Sequence, residues 1–197
     1  MPRKKGSIGA DTANAIYTSG TRLIATHGFE AMSLRQLAAD VGIQASSLYN
    51  HILNKHALLH GIMLNYMRDL LDKAAAEVPP KGEAAEQLRL FVAFHVRFHM
   101  TRNEDLRIIN QELRSLEAAQ RVEIVAMRDD YEKILEGILR RGVRSRVFRI
   151  KDIRVTTFAI IAMLTGIAAW WRPDGRLPVD DLVALHQDLV LRSVGAR

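Results

Sequence analysis

Cysteine is absent from all 197 residues, so the chain has no disulfide, no thiolate metal site and no cysteine nucleophile. That suits a reducing cytoplasm. Almost no segment alternates apolar and polar residues with period two, which removes the main sequence signal for strands. Proline is sparse, at five residues, and lies between stretches of helical period. No glycine-rich phosphate loop, metalloprotease helix or nucleophile elbow occurs, so the chain does not read as an enzyme and calls for no metal or cofactor. The N-terminus, MPRKKGS, is basic but lacks the apolar core of a signal peptide. The uncharged run from Val155 to Trp171 is 17 residues long. It falls short of the about 20 that a bilayer core asks for. Three threonines and the flanking Lys151 and Arg154 also argue for a buried helix over a spanning one.

What is present is helix, arranged to suit a polyanionic partner. The length allows one full core, or a small domain joined to a larger one. The formal charge is +6 and the pI about 9.9. Residues 1–60 hold six basic against three acidic residues, half of that net charge, so charge alone is weak evidence for nucleic acid. Arg3, Lys4 and Lys5 read either as an arm that brushes DNA or as ordinary terminal charge.

The informative stretch is Ser33–Leu59, SLRQLAADVGIQASSLYNHILNKHALL. Ser33 with Gln36 forms a capping box that opens a helix. Leu34, Leu37, Ala38 and Val41 define its buried stripe, and Gly42 ends it in a positive-φ residue. Gln44–Ile52 then forms a second short helix, with Leu48 and Ile52 inward and Gln44, Ser46, Ser47 and Asn50 outward. This is the layout of a helix-turn-helix, whose second helix enters the major groove. Gln44 and Asn50 are the right types to pair with adenine. Tyr49, His51 and Lys55 suit phosphate oxygens, Lys55 beside a helix start that itself favours anions. Arg35, Gln44, Ala45, Ser46, Ser47, Tyr49, Asn50, His51 and Lys55 are therefore the candidate DNA-contacting set.

These residues resemble the N-terminal domain of the TetR family of bacterial transcriptional regulators. The resemblance spans about residues 12–60 and rests on Gly28-Phe29, Ser33, Leu37-Ala38, Val41-Gly42-Ile43, Leu48-Tyr49, His51-Ile52, Lys55 and Ala57-Leu58-Leu59. Three positions depart from the family pattern. Gln44 replaces a capping Ser or Thr, which puts that cap in doubt and frees Gln44 for a base. Gly20 replaces an alanine, at a cost of ~1 kcal/mol unless close packing requires it. Ala13 replaces a residue that is often basic, removing a phosphate contact.

The remaining chain predicts an all-α architecture in which a DNA-binding domain, 1–55 with a basic arm at 1–10, precedes a ligand-binding and dimerisation domain, 56–197. The first helix starts after Asp11 as cap, buries Ile16, Tyr17, Leu23 and Ile24, and ends at Gly28. A joining helix runs from Lys55 to Val78-Pro79-Pro80. Helices over about 83–101, through Leu113, and over about 117–145 follow, and a last pair flanks the turn Arg172-Pro173-Asp174-Gly175. Ala159, Ala162, Gly166 and Ala169 make a small-residue stripe, and Leu182, Leu185, Leu189 and Val190 an apolar one. Both faces point to a homodimer through the last two helices, although burial within one chain is the simpler alternative.

Ligand chemistry is sparser. His95 and His99 lie one turn apart on the face of Leu88, Phe91 and Val92. A metal would need a third ligand that the sequence does not supply; His56 and His60 merely repeat the spacing. Histidines lining an apolar cavity, or satisfied core histidines, are the two readings left. Arg128 falls inside the apolar stripe of Ile124, Met127, Tyr131, Ile134, Leu135 and Ile138, so it needs a carboxylate, an anionic ligand or an escape to solvent. The segments around His95, Glu112-Leu113, Arg128–Glu132 and Trp170–Gly175 are also similar to TetR-family regulators of fatty-acid and sterol breakdown. That resemblance implies an acyl-coenzyme A effector, with His95, His99, Arg128, Tyr131 and Trp170 at its site and Arg97, Arg107 or Arg128 on phosphates. Trp170 and Trp171 serve equally as dimer-core aromatics. The function implied is a cytoplasmic, ligand-responsive repressor binding a palindromic operator as a homodimer. The rival is a non-specific architectural DNA binder.

Overall fold

A computed structural model describes residues 7–172 and 174–196. Arg3, Lys4 and Lys5 of the basic arm and Pro173 of the last turn lie outside the described residues. Among the described residues there is no strand. The helices are α1 (Ser7–His27), α2 (Leu34–Val41), α3 (Ala45–Leu48), α4 (Lys55–Glu77), α5 (Ala84–Thr101), α6 (Asn103–Gln111), α7 (Ala118–Arg144), α8 (Ile153–Trp170) and α9 (Val179–Ser193). A single 3₁₀ turn, Leu113–Ser115, separates α6 from α7. Two compact units result: residues through Met67 with Glu104–Val125, and Arg68–Asn103 with the residues from Ala126 on. Compactness therefore follows a different line from a division at 55/56. Helix α4 runs unbroken past Met67, and α6 with the start of α7 belongs to the first unit.

In the first unit α1 begins at Ser7, earlier than a cap at Asp11 predicts, and Asp11 is helical. No residue in the stretch from Ser7 to Asp11 blocks helical φ, so a possible cap residue is overrun. Ile16, Leu23 and Ile24 are buried and Tyr17 is half-buried. The helix stops at Gly28, which takes a φ of 82°. Gly20 lies against α4, where an added Cβ would sit 3.1 Å from Leu58 Cδ2, so the close packing that justifies a helical glycine is present. Gly61 on α4 is tighter still: a Cβ there would fall 2.5 Å from the Tyr17 hydroxyl. Arg22 of α1 grips both oxygens of Asp40 on α2, at 2.5 and 2.6 Å. The guanidinium holds the Asp40 carboxyl below its ordinary range.

Helix α2 opens as its sequence indicates, Ser33 Oγ accepting the Gln36 N–H at 3.1 Å. Only this half of the capping box forms, since among the described residues Gln36 returns no side-chain bond to Ser33. Gly42, at φ 76°, closes the helix, and the Ile43 N–H turns back to Ala38 O at 3.0 Å. Leu37 and Leu48 are both fully buried where α2 meets α3. Truncating either to alanine would cost about 2–5 kcal/mol.

In the second unit α5 packs against α8 and α9, with Leu88, Phe91, Val92 and Val96 fully enclosed. Helix α8 turns Thr157, Ile160, Leu164 and Ile167 inward. It is long and apolar enough to cross a membrane, yet only 22% of it is buried within the chain. The expectation of a buried helix is therefore not met by the single chain. Val155, Phe158, Ala159, Ala162, Met163, Gly166 and Trp170 face outward, as do Leu185 and Leu189 of α9. Leu182 and Val190, expected to join that outer stripe, instead fill the core of their own chain.

Candidate nucleic-acid interface and buried polar cluster

The reading segment is shorter than its periodicity predicts. Helix α3 ends at Leu48, and Tyr49, Asn50 and His51 form a turn. The Asn50 N–H reaches Ser47 O at 3.2 Å and the His51 N–H reaches Leu48 O at 2.9 Å, so the chain tightens from α-helical to i+3 bonding. Ile52 is buried as expected, but from outside the helix. Gln44 occupies the N-cap position in extended conformation and makes no capping bond, which leaves its amide available to a ligand.

Arg35, Gln44, Ala45, Ser46, Tyr49, Asn50 and His51 are exposed, and Ser47 is half-buried. The segment Gln44–His51 thus brings two amides, two hydroxyls, a phenol and an imidazole onto one short stretch of surface. Lys55 is placed differently. Its ammonium donates to Glu30 O at 2.9 Å and lies 4.5 Å from the centre of the Phe29 ring. One of its three donors is therefore structural, and the rest remain for an anion.

Two residues here escaped sequence reasoning. Asn54 caps α4 by accepting the Ala57 N–H on Oδ1 at 2.7 Å, a signal present as Asn before an apolar run. Leu53 is 83% exposed in the bend that follows the Tyr49–His51 turn. Its outward position follows only from the early end of α3, which the helical period concealed.

The second cluster is enclosed. His95 has no accessible surface, and its ring nitrogens lie 3.0 Å from the Tyr131 hydroxyl and 3.1 Å from the Thr165 hydroxyl. A neutral imidazole has one donor and one acceptor nitrogen, and two hydroxyls can complement either tautomer. His99 stands edge-on to His95 at 4.1 Å between ring centres. Burial, helped by the neighbouring His99, holds the His95 pKa well below its ordinary value, and burial lowers that of His99 to about 3. Both rings are neutral at physiological pH. Phe91 packs 5.4 Å from Tyr131 and closes the cluster.

His95, His99 and Tyr131 are thus brought together, with Thr165 as a partner that the apolar run of α8 disguised. Trp170 is not among them; it is 56% exposed. Arg128 is half-buried, within the electrostatic reach of Glu132. The Glu132 carboxyl is raised, chiefly by burial and then by Asp129, with Arg154 and Arg128 opposing. Arg97 pairs with Asp180 at 2.9 Å on the surface. Among the described residues no group of three or more His, Asp or Glu is placed to hold a metal ion.

Comparison with known proteins agrees with both halves of the chain. It is 26% identical over 172 residues to the HTH-type transcriptional repressor KstR2 of Rhodococcus jostii (strain RHA1), covering 86% of this chain and 84% of that one. The crystal structure of the TetR-family regulator PfmR from Thermus thermophilus superposes with a TM-score of 0.82 at 30% identity, over 90% of this chain and 97% of that one. The structure of AibR in complex with isovaleryl coenzyme A and operator DNA matches with a TM-score of 0.83 at 26% identity, over 94% and 100% of the two chains. The model of bacterial regulatory proteins of the tetR family matches residues 16–62, and that of the tetracyclin repressor-like C-terminal domain matches residues 81–194. A helix-turn-helix that matches the family's N-terminal model, followed by a helical unit that matches its C-terminal domain, places this chain in the TetR family of bacterial transcriptional regulators.

Proposed function

We propose that the protein is a homodimeric repressor, acting in the cytoplasm, that binds a palindromic operator and is released by an acyl-coenzyme A thioester. The observation that carries the dimer is the outer face of α8. A helix of this apolarity left 22% buried presents an exposed apolar face of the kind that marks an interaction surface. The stripe of Ala159, Ala162, Gly166 and Ala169 gives a second copy a surface of close approach, and Leu185 and Leu189 of α9 extend it. A two-fold assembly sets two reading heads about 34–36 Å apart, one turn of duplex.

Within each head Asn50 and Gln44 would read base edges while Tyr49, His51, Arg35 and the spare donors of Lys55 fix register on phosphates. The segment Ala45–Ser47 is small enough to let the backbone approach the groove floor. The effector reading rests on the second unit. The hydroxyls and imidazoles of His95, His99, Tyr131 and Thr165 form a neutral polar cluster within an apolar core, suited to an uncharged polar group such as a thioester carbonyl. Arg128 would flank the longer parts of the ligand. AibR, a relative by fold, was solved with such a thioester and with operator DNA. Release is a population shift: the ligand favours a head separation that mismatches the half-sites, and operator affinity falls by the ratio of its affinities for the two states.

The test is a shift assay at moderate salt comparing the DNA upstream of the protein's own gene with random duplex. Selective binding that isovaleryl coenzyme A reverses is expected. Equal affinity for both duplexes would favour the architectural reading and reject this one.

A further inference from the structure

A groove lies where the end of α4 meets α7, and its lining shares no residue with the histidine cluster. Ala74 and Val78 of α4, the Pro79-Pro80 elbow, and Ile134 and Ile138 of α7 enclose an apolar groove of 290 Å³. Proline contributes no N–H, so the elbow presents a dry wall. Gly137 lies in the middle of α7 on the groove, at a position where glycine costs a helix about 1 kcal/mol relative to alanine. A Cβ there would come 3.3 Å from Arg141 Nη1, so the missing side chain is the space that Arg141 and the groove share.

The groove has one committed cation. Gln87, 1% exposed, donates to Pro79 O at 2.5 Å and accepts Arg141 Nε at 3.0 Å. This buried relay aims the guanidinium while leaving both Nη groups without a partner among the described residues. Lys133, on the same rim, is taken by Asp130 at 2.7 Å. The Arg141 guanidinium therefore favours an anion, and its fixed planar fork favours a carboxylate.

From this we infer that the α4–α7 groove binds a short-chain fatty carboxylate, its tail against Val78, Ile134 and Ile138 and its head on the Nη groups of Arg141. The volume lies at the lower limit of ligand pockets, about 300 Å³, which suits one compact amphiphile and excludes a whole coenzyme thioester. The site is independent of the operator and effector reading above.

Calorimetric titration of the full-length protein with octanoate, and with octanol as its uncharged counterpart, tests the assignment. One octanoate per chain is expected, bound more tightly than octanol. Arg141→Met should weaken octanoate about ten- to a hundredfold, the worth of hydrogen bonds to a charged group, and leave octanol unchanged. Gly137→Leu should abolish binding of both while keeping the helix, since leucine is the better helix former. Operator binding without octanoate should be unaltered in both variants. Absence of octanoate binding, binding indifferent to both substitutions, or loss on Thr165→Val with Gly137→Leu intact would each overturn the inference.

Discussion

The carboxylate of Glu112 accepts the backbone N–H of Phe29 at 3.1 Å, across 83 residues of sequence, while Ser115 Oγ donates to its second oxygen at 2.9 Å. The segment after α6 thereby clasps the loop that follows α1. Removing the clasp with Glu112→Ala leaves a part-buried N–H unsatisfied, and a loss of about 1–3 kcal/mol is expected in urea unfolding. Glu112→Gln retains an acceptor and should recover most of it. Equal stability of the alanine variant and the wild type would show the bond to be incidental.

On the Gln44–His51 segment the two proposed DNA contacts Tyr49 and Asn50 should separate by function. Tyr49→Phe should weaken binding to every duplex alike and leave its salt dependence unchanged, since the phenol carries no charge. Asn50→Ala should cost about 1–3 kcal/mol on the operator and relax preference at a single base pair. Binding curves over a set of single-base operator variants distinguish the two. Unchanged affinity and preference in both would displace the recognition turn from Gln44–His51.

Acid should destabilise the second unit through His99. Its pKa falls from 6.5 to about 3 on folding, so between those values the unfolded chain holds a proton that the folded chain does not. Stability present above pH 6.5 is therefore lost as pH drops, by about 2 kcal/mol at pH 5 from this ring alone. His95 shifts in the same direction and adds to the loss. Urea midpoints at pH 7 and pH 5 should differ accordingly in the wild type, and less in His99→Leu. A pH-independent midpoint in the wild type would contradict neutral burial of the pair.

Charge placed on the outer stripe should break the assembly. Ala162→Lys with Leu189→Lys puts cations on exposed positions of α8 and α9, where they cost the single chain little. Sedimentation should then report a monomer in place of a dimer, and operator affinity should fall with it. A dimer that survives both substitutions would move the interface elsewhere.

Local chemistry was legible in the sequence wherever one residue type decides the backbone. Ser33 caps, Gly28 and Gly42 stop helices, and Pro79-Pro80 ends α4, each because few residues perform that task. What the sequence concealed depends on competition between neighbours. Asp11 has the chemistry of a cap but lies within α1, and the helical spacing of Leu48 and Ile52 continues through a turn that is no longer helix. A distant resemblance groups Trp170 with His95, while the structure leaves Trp170 56% exposed and His95 without accessible surface. In the sequence Thr165 counts only as a mark against a membrane span, yet its hydroxyl sits 3.1 Å from the buried imidazole. The partners of a buried polar group are set by packing between helices far apart in sequence, which periodicity within one helix does not encode.

Gly61 meets the Tyr17 hydroxyl so closely that a single methyl group would collide with it. With no clearance to roll, the opening two turns of α4 are keyed to α1 as a shaft is to its gear. Within the first unit the two helices therefore have one mutual rotation, and any larger residue at position 61 would force another.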